Sequence, residues 1–403
     1  MLLSGSIPEL LEERMMVRRH GTTLSQRSKR ELLESVQARY WKAKKLEKQK
    51  ILDEFAAATG FHRKYALRLL RHGYPRPKGK HKGRQTIYRG EVISALEQIW
   101  EIYGRICSKR LQPYLPEGLN VLERCGEIEL SLEAKGLLLK ISSATLDRCL
   151  RKTRVKSTHG LGTTKPGSLL KKNILVRTFA DWNEDRPGFL EIDLVAHCGE
   201  TTQGQYLSTL TCTDICTGWT EPVALWRHTQ EIVCKALQDM RLNLPFSLLG
   251  IDSDNGTEFI NDLLYRYCLN EQITFTRSRP YKKNDQAYVE QKNWSVVWHT
   301  IGYDRLETET EYELLKSIYQ DLRLYVNFFQ PVLKLMRKER FANKIIRRYD
   351  TARTPYQRVL ERKDISLERK ARLVNLYLRL NPVHLRRQID EKVAQLWRIA
   401  SNE

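Results

Sequence analysis

Apolar positions along the chain follow two rhythms, one repeating near 3.6 residues and one near 2, and the change comes close to Gly188. Before it, the helical rhythm dominates. Residues 24–45 read as a charged first helix, and 48–58 place apolar side chains at 51, 52, 55, 56 and 58 on one face. Thr59, Gly60 and Phe61 break that helix; residues 62–71 resume it with Tyr65, Ala66, Leu69 and Leu70 turned inward. Helix, glycine-bearing turn and basic helix form a helix-turn-helix pattern. A second helical set follows. Residues 88–103 carry Val92, Ile93, Leu96, Ile99 and Trp100 on one side, and 107–124 read as a short helix broken by Pro113, Pro116 and Gly118. Residues 132–139 then lead into a helix over 144–152 with Ser142 or Ser143 as its N-cap.

After Gly188 the period shortens. Residues 189–197, 206–214 and 220–226 read as three strands of an antiparallel meander. A helix over 229–241, a strand over 248–252, a helix over 258–269, a strand over 273–278 and a helix over 285–300 come next. Beyond 303 the pattern is helical again, with an apolar face over 310–329, a helix start at Thr354-Pro355 and amphipathic helices within 362–397. The expected chain is therefore multidomain. Helix-turn-helix units at 1–73 and 88–155 are joined by a basic linker at 74–87; a second linker at 156–185 leads to an α/β region at 186–302 and a helical region at 303–403.

Charge sharpens this division. The net charge is +21. Residues 1–180 hold 37 Lys and Arg against 17 Asp and Glu, and the remainder hold 32 against 31, so nearly all the excess is N-terminal. Phosphate neutralisation supplies most sequence-independent affinity for DNA, so the basic half fits a DNA-gripping role. Its expected contacts are Arg63, Lys64, Arg68 and Arg71 on the first basic helix, Arg76, Lys78 and Lys80 in the linker, and Arg148, Arg151 and Lys152 on the second. Eight scattered cysteines include no Cys-x-x-Cys pair and no nearby histidines at zinc spacing, which suits buried thiols in a reducing compartment. No signal peptide or run of about 18 apolar residues is visible. The expectation is a cytoplasmic protein with no membrane partner.

Three carboxylates carry the candidate chemistry. Asp193 lies in a strand-like apolar run, Asp254 follows another, and Glu290 falls where a helix opens. Asp193, the Ser253-Asp254-Asn255-Gly256 turn, and Arg279-Pro280-Tyr281 running on to Glu290 together resemble the signature of the DDE transposases and retroviral integrases. The likeness spans roughly a quarter of the chain, 186–300. It implies a ribonuclease-H-like core: a mixed five-stranded sheet flanked by helices, with the first and fourth strands adjacent so that Asp193 meets Asp254. It implies Asp193, Asp254 and Glu290 as catalytic metal ligands, for two Mg²⁺ ions with Mn²⁺ as a substitute. Asp252 and Glu191, each two residues before a triad member, fall on the same side of an ideal strand and compete for a place in the site. Asp214 can serve beside the site or simply in a turn. Lys282, Lys283 and Lys292 flank the acidic helix and suit DNA phosphates; Trp294 reads as a core residue.

The resemblance implies a bacterial insertion-sequence transposase that binds terminal inverted repeats, exposes 3′-hydroxyl ends and joins them to target DNA. Such an enzyme works as a homo-oligomer on double-stranded DNA, and a helper ATPase is left open as a partner. Two other activities fit the same residues: a ribonuclease-H-like nuclease that cuts without joining, and a DNA-binding regulator with a retained catalytic fold.

Overall fold

A computed structural model describes residues 24–75, 87–151, 153, 175–176, 185–279, 286–341 and 344–400. The chain forms two compact units, Met1–Thr86 and Ile87–Glu403.

The described residues of the first unit form three helices, α1 Gln26–Lys42, α2 Lys45–Thr59 and α3 Arg63–His72. Ser25 caps α1 by accepting the Ser28 N–H at 3.1 Å, and Gly60 ends α2 at φ +71°, the left-handed conformation that glycine adopts without steric cost. Leu33, Tyr40, Ile51, Leu52, Phe55, Ala66, Leu69 and Leu70 make the core. Tyr65, expected inside, is exposed and sets its ring edge-on to Phe61 at 5.1 Å. Lying next to Ala66 at the rim, it serves as an aromatic cover over Phe61 rather than as core filling.

The second unit opens with α4 Glu91–Ile102, α5 Ser108–Arg124, α6 Leu132–Lys140 and α7 Ser143–Cys149. Ser142 caps α7, accepting the Thr145 N–H at 3.3 Å. Residues 108–124 are one unbroken helix despite Pro113 and Pro116. Each proline costs the helix a backbone hydrogen bond, but Leu111, Tyr114, Leu115, Leu119, Val121 and Leu122 are all buried along its length, and that packing holds the turns. Gly118 is required by a close approach: a Cβ there would lie 3.0 Å from the Tyr103 ring, whose hydroxyl donates to the Gly118 carbonyl at 2.9 Å.

These four helices share one apolar core with the rest of the unit. The Tyr325 hydroxyl donates to the Ile102 carbonyl at 2.5 Å, Gln330 Nε2 to the Tyr103 carbonyl at 2.7 Å, and Asn381 Nδ2 to Glu127 at 2.6 Å. Residues 88–150 thus depart from the freestanding helical domain expected of them. Their apolar faces are covered by C-terminal helices instead of by one another alone.

The sheet runs β1 Leu175–Val176, β2 Phe189–Ala196, β3 Ser208–Asp214, β4 Thr220–Leu225, β5 Gly250–Ser253 and β6 Thr274–Arg277, in the spatial order β1-β6-β5-β2-β3-β4. β2, β3 and β4 form the antiparallel meander, and β5 joins β2 in parallel. This is the mixed five-stranded arrangement expected from the sequence, widened by the two-residue β1 on one edge. Helices α8 Gln230–Arg241 and α9 Asp262–Asn270 flank it, and α10 Ala287–Lys292 packs against β2 and β3. α10 continues through a π-helical turn, Asn293–Trp298, into His299–Ile301. β3 is buried at all seven residues although it is rich in threonine. Thr209 Oγ1 is satisfied by His197 Nε2 at 2.7 Å and by the Tyr319 hydroxyl at 2.5 Å.

The C-terminal part is α11 Glu309–Phe329, α12 Pro355–Glu361, α13 Leu367–Arg379 and α14 Pro382–Ala400. It is not wholly helical. A two-stranded antiparallel ribbon, β7 Leu335–Phe341 and β8 Lys344–Tyr349, interrupts it.

Candidate active site

β2 and β5 run side by side in parallel, with Glu191 opposite Asp252 and Ile192 opposite Ser253. One step further along this register, Asp193 comes beside Asp254. Because side chains alternate across a strand, Glu191 and Asp193 share a face with Asp252 and Asp254. Four carboxylates thus form a ladder across two central strands, with Asp193 midway along β2 and Asp254 just past the end of β5.

The outer rung is the wetter one. Asp193 is half-buried; its Oδ1 accepts the Leu194 N–H at 2.9 Å and its Oδ2 accepts Asn293 Nδ2 at 2.7 Å. Burial, then the nearby charge of Asp254 and that of Glu290 push the Asp193 carboxyl up to about 8. Asp254 Oδ1 accepts the Gly256 N–H at 2.9 Å, and burial with the Glu258 charge raises its carboxyl to about 6. Asn255 locks the turn to the end of β6: its Nδ2 donates to the Ser278 carbonyl at 2.9 Å, and its Oδ1 accepts from Arg277 at 2.9 Å. Gly256 leaves room for Glu258 to fold back, since a Cβ would lie 2.5 Å from the Glu258 carboxyl. Glu258 therefore joins the acidic group, a residue that sequence spacing alone did not single out. Beside it opens a cavity of about 590 Å³ lined in part by Tyr206, Arg227, His228, Thr229 and Glu258.

The inner rung is buried. Glu191 is fully enclosed, and its Oε2 accepts the N–H groups of Tyr288 and Val289 at 2.8 Å each, the opening amides of α10. Its Oε1 has no hydrogen-bond partner among the described residues. Burial, with Asp252 close by, raises the Glu191 carboxyl well above the ordinary range. Asp252 Oδ1 accepts from Thr276 Oγ1 at 2.6 Å. These two acids therefore hold structure: Glu191 anchors the helix that carries Glu290, and Asp252 ties β5 to β6. Asp214 is a turn acid. It accepts from the Gly188 and Thr217 N–H groups at 2.8 and 2.7 Å, toward the opposite end of β2.

Glu290 is exposed on α10, and Asn293, one turn on, reaches across to Asp193. Asn293 was missed from sequence, although its three-residue spacing from Glu290 puts both on one helical face. Two neighbours differ from expectation. Lys292 is buried, and desolvation with the Arg110 charge lowers its amine to about 7, so it does not face DNA. Trp294 is 54% exposed rather than in the core. Lys292 follows buried Val289 by three residues and Trp294 follows exposed Glu290 by four, so the ordinary helical repeat turns one inward and the other outward.

Of the expected DNA contacts, Arg63 pairs with Asp53, while Lys64, Arg68 and Arg71 are exposed on α3. Arg148 is exposed and donates to Thr145 Oγ1 at 2.9 Å, and Arg151 is exposed. Arg76, Lys78, Lys80, Lys152, Lys282 and Lys283 lie outside the described residues. Among the described residues, no group of three or more His, Cys, Asp or Glu stands in metal-holding geometry. The donor set nonetheless suits a hard divalent cation: all-oxygen, clustered, and raised in pKa by burial and then by the neighbouring acids. No helix among them is long and apolar enough to cross a membrane.

A scan against protein-family models gives no match. The chain is 40% identical over 336 residues to "Uncharacterized protein y4rM" of Sinorhizobium fredii, covering 83% of this chain and 96% of that protein. Among solved structures it is similar to the catalytic core domain of BIV integrase, at TM-score 0.30 and 16% identity, covering 43% of this chain and 94% of that one. It is also similar to the HTLV-2 integrase catalytic core domain in complex with magnesium, at TM-score 0.27 and 15% identity, covering 35% and 86%. Both scores are low, so the fold assignment rests on this chain's own strand order and register.

Proposed function

The chain belongs to the family of protein y4rM, and we propose that it is a DNA transposase that cuts at the ends of a mobile element and joins the freed 3′-hydroxyls to target DNA. The observation that carries this reading is Asp193, midway along β2, set beside Asp254, just past the end of the parallel β5, with Glu290 on a helix tied to the same point by Asn293 and Glu191. Asp193, Asp254 and Glu290 hold divalent metal, with Mg²⁺ the expected ion and Mn²⁺ its substitute. Bound cations there supply activation of water or a 3′-hydroxyl and neutralise charge on the leaving oxygen. The residues around them orient the donors. Asn293 fixes Asp193, the Gly256 amide fixes Asp254, and Glu191 sets the start of α10 and so the direction of Glu290. Lys64, Arg68 and Arg71 on α3, with Arg148 and Arg151, grip the element ends, and joining two ends requires at least two protomers.

The test uses DNA flanking the coding region, a supercoiled plasmid, and the full chain with Mg²⁺ or EDTA. Wild type should give joined products that vanish with EDTA and in Glu290→Gln. Cleavage without joining would replace this reading with a nuclease. Binding without either product would replace it with a regulator.

A further inference from the structure

The β7–β8 ribbon is out of keeping with the rest of the second unit. Among the described residues no third strand lies against it, and Met336, Phe341, Ile345, Ile346 and Tyr349 are exposed along it. A lone hairpin is marginally stable in water. This one also opposes like charges directly: Arg337 faces Arg348, and the next pair, on the other side of the ribbon, is Lys338 with Arg347. Facing cations destabilise a strand pair. Arg340 adds a further positive charge, and Glu339, paired to Arg337, is the single acid in either strand. Lys338, Arg340, Arg347 and Arg348 have no acidic partner among the described residues.

Its base, by contrast, is firmly built. The Lys334 N–H donates to Asp350 Oδ1 at 2.7 Å, and Lys334 Nζ reaches the Cys216 carbonyl at 2.6 Å in the β3–β4 turn. The Arg358–Asp350 ion pair, 2.7 Å and nearly enclosed, closes the base, and Arg358 also donates to the Val332 carbonyl at 2.9 Å. The ribbon is therefore a cationic finger set at a fixed root on the catalytic unit.

We propose that this ribbon is a duplex-DNA-binding element that lies in the major groove. The proposal rests on the transposase reading only in taking duplex DNA as the substrate. Seven residues of strand reach about 20 Å, and the major groove, about 12 Å wide, admits a two-stranded ribbon. Cations on both faces meet the phosphates lining the groove, and the interleaved apolar side chains suit sugars and thymine methyl groups. A second copy of the chain is the poorer occupant. A two-fold pairing would bring the same positive surface against itself, and charged edges resist strand addition.

The experiment measures binding of the full chain to random-sequence duplex against salt concentration, in an Asp193→Asn background without divalent metal. Two double variants are compared, Arg337→Gln with Arg348→Gln and Lys338→Gln with Arg347→Gln. Each lost phosphate contact should flatten the log–log slope by about 0.9, so the doubles should flatten it by about 1 to 2. Melting without DNA shows that each double is folded; its temperature should be unchanged or higher, because a repulsive pair is gone. Unchanged slopes in both folded doubles overturn the proposal. Loss of self-association with unchanged DNA binding overturns it in favour of a protein interface. The two readings fail separately: a chain that never joins DNA can still show the slope change, and one that joins DNA can lack it.

Discussion

Two places in this molecule set like charges across neighbouring strands, and they resolve the repulsion in opposite ways. On β2 and β5 the charges are acidic, and the inner Glu191–Asp252 rung is shut away from water. On β7 and β8 they are basic and stand in solvent. In the interior a charge pair interacts strongly, so burial and repulsion raise the carboxyl pKa values and recruit backbone N–H groups. At the surface water screens the pair, and the ribbon tolerates its cations with little distortion. On the proposed reading, the acidic ladder takes a cation at its outer rung and the basic one a polyanion along its length.

The largest effect should come from the outer rung. Asp254→Asn removes a negative donor while keeping its size, and should lower DNA joining by at least about 10³-fold. DNA binding should stay near wild type. Joining within tenfold of wild type would show that the two ladders do not differ in the way argued. The inner rung should matter less and through position. Glu191→Ala leaves the Tyr288 and Val289 amides without their acceptor, at about 1–2 kcal/mol of stability, and should lower joining about 10–100-fold. Glu191→Gln keeps an acceptor oxygen and should recover most of the loss. Equal damage from both would mean that the Glu191 charge, rather than its hold on α10, is what counts.

pH separates the ladders further. Asp193 and Asp254 hold their protons in the folded chain up to about 8 and about 6, against an ordinary 3.8. Between 3.8 and those values the folded state binds more protons than the unfolded one, so stability falls as pH rises through that window. In EDTA, melting temperature should therefore drop from about pH 5 to about pH 8. Asp193→Asn should flatten the upper part of the drop, and Mg²⁺ should reverse it in wild type. A flat wild-type profile would sink the claim that these acids repel one another.

The two ladders also differ in how readable they were. Asp193 and Asp254 were legible because one lies within a β-rich apolar run and the other closes a second, and the strand order that the family resemblance implies puts them side by side. In the ribbon the cations of 334–348 were legible but the strands were not. Leu335 to Phe341 lacks the apolar–polar alternation of a strand, since neither face is buried. The helices of residues 88–150 were legible as helices but not as part of the same compact unit as the sheet. An apolar face says that something covers it, not what. Lys292 and Trp294 were misjudged together, because residue type was weighed above the helical repeat: Lys292 shares the face of buried Val289 and Trp294 that of exposed Glu290. Glu258 is brought to the site by a backbone fold at Gly256, which spacing alone does not encode.

The smallest effect is the most selective. Salt should relieve the Arg337–Arg348 and Lys338–Arg347 repulsions while leaving the buried acids almost untouched, because screening acts on exposed charges. Each pair is worth about 0.2–1 kcal/mol, too little to move global melting far but enough to change local opening of a marginal hairpin. Amide hydrogen exchange reads this directly. Raising NaCl from about 0.05 to about 0.5 M shortens the Debye length from beyond 10 Å to a few ångströms. Protection of the β7 and β8 amides should then rise several-fold, with β2 and β5 unchanged. In Lys338→Gln with Arg347→Gln the low-salt protection should already be high, and the salt response correspondingly smaller. A ribbon whose exchange ignores salt would mean its cations do not strain it, and nothing in the free chain would then be left for DNA to relieve.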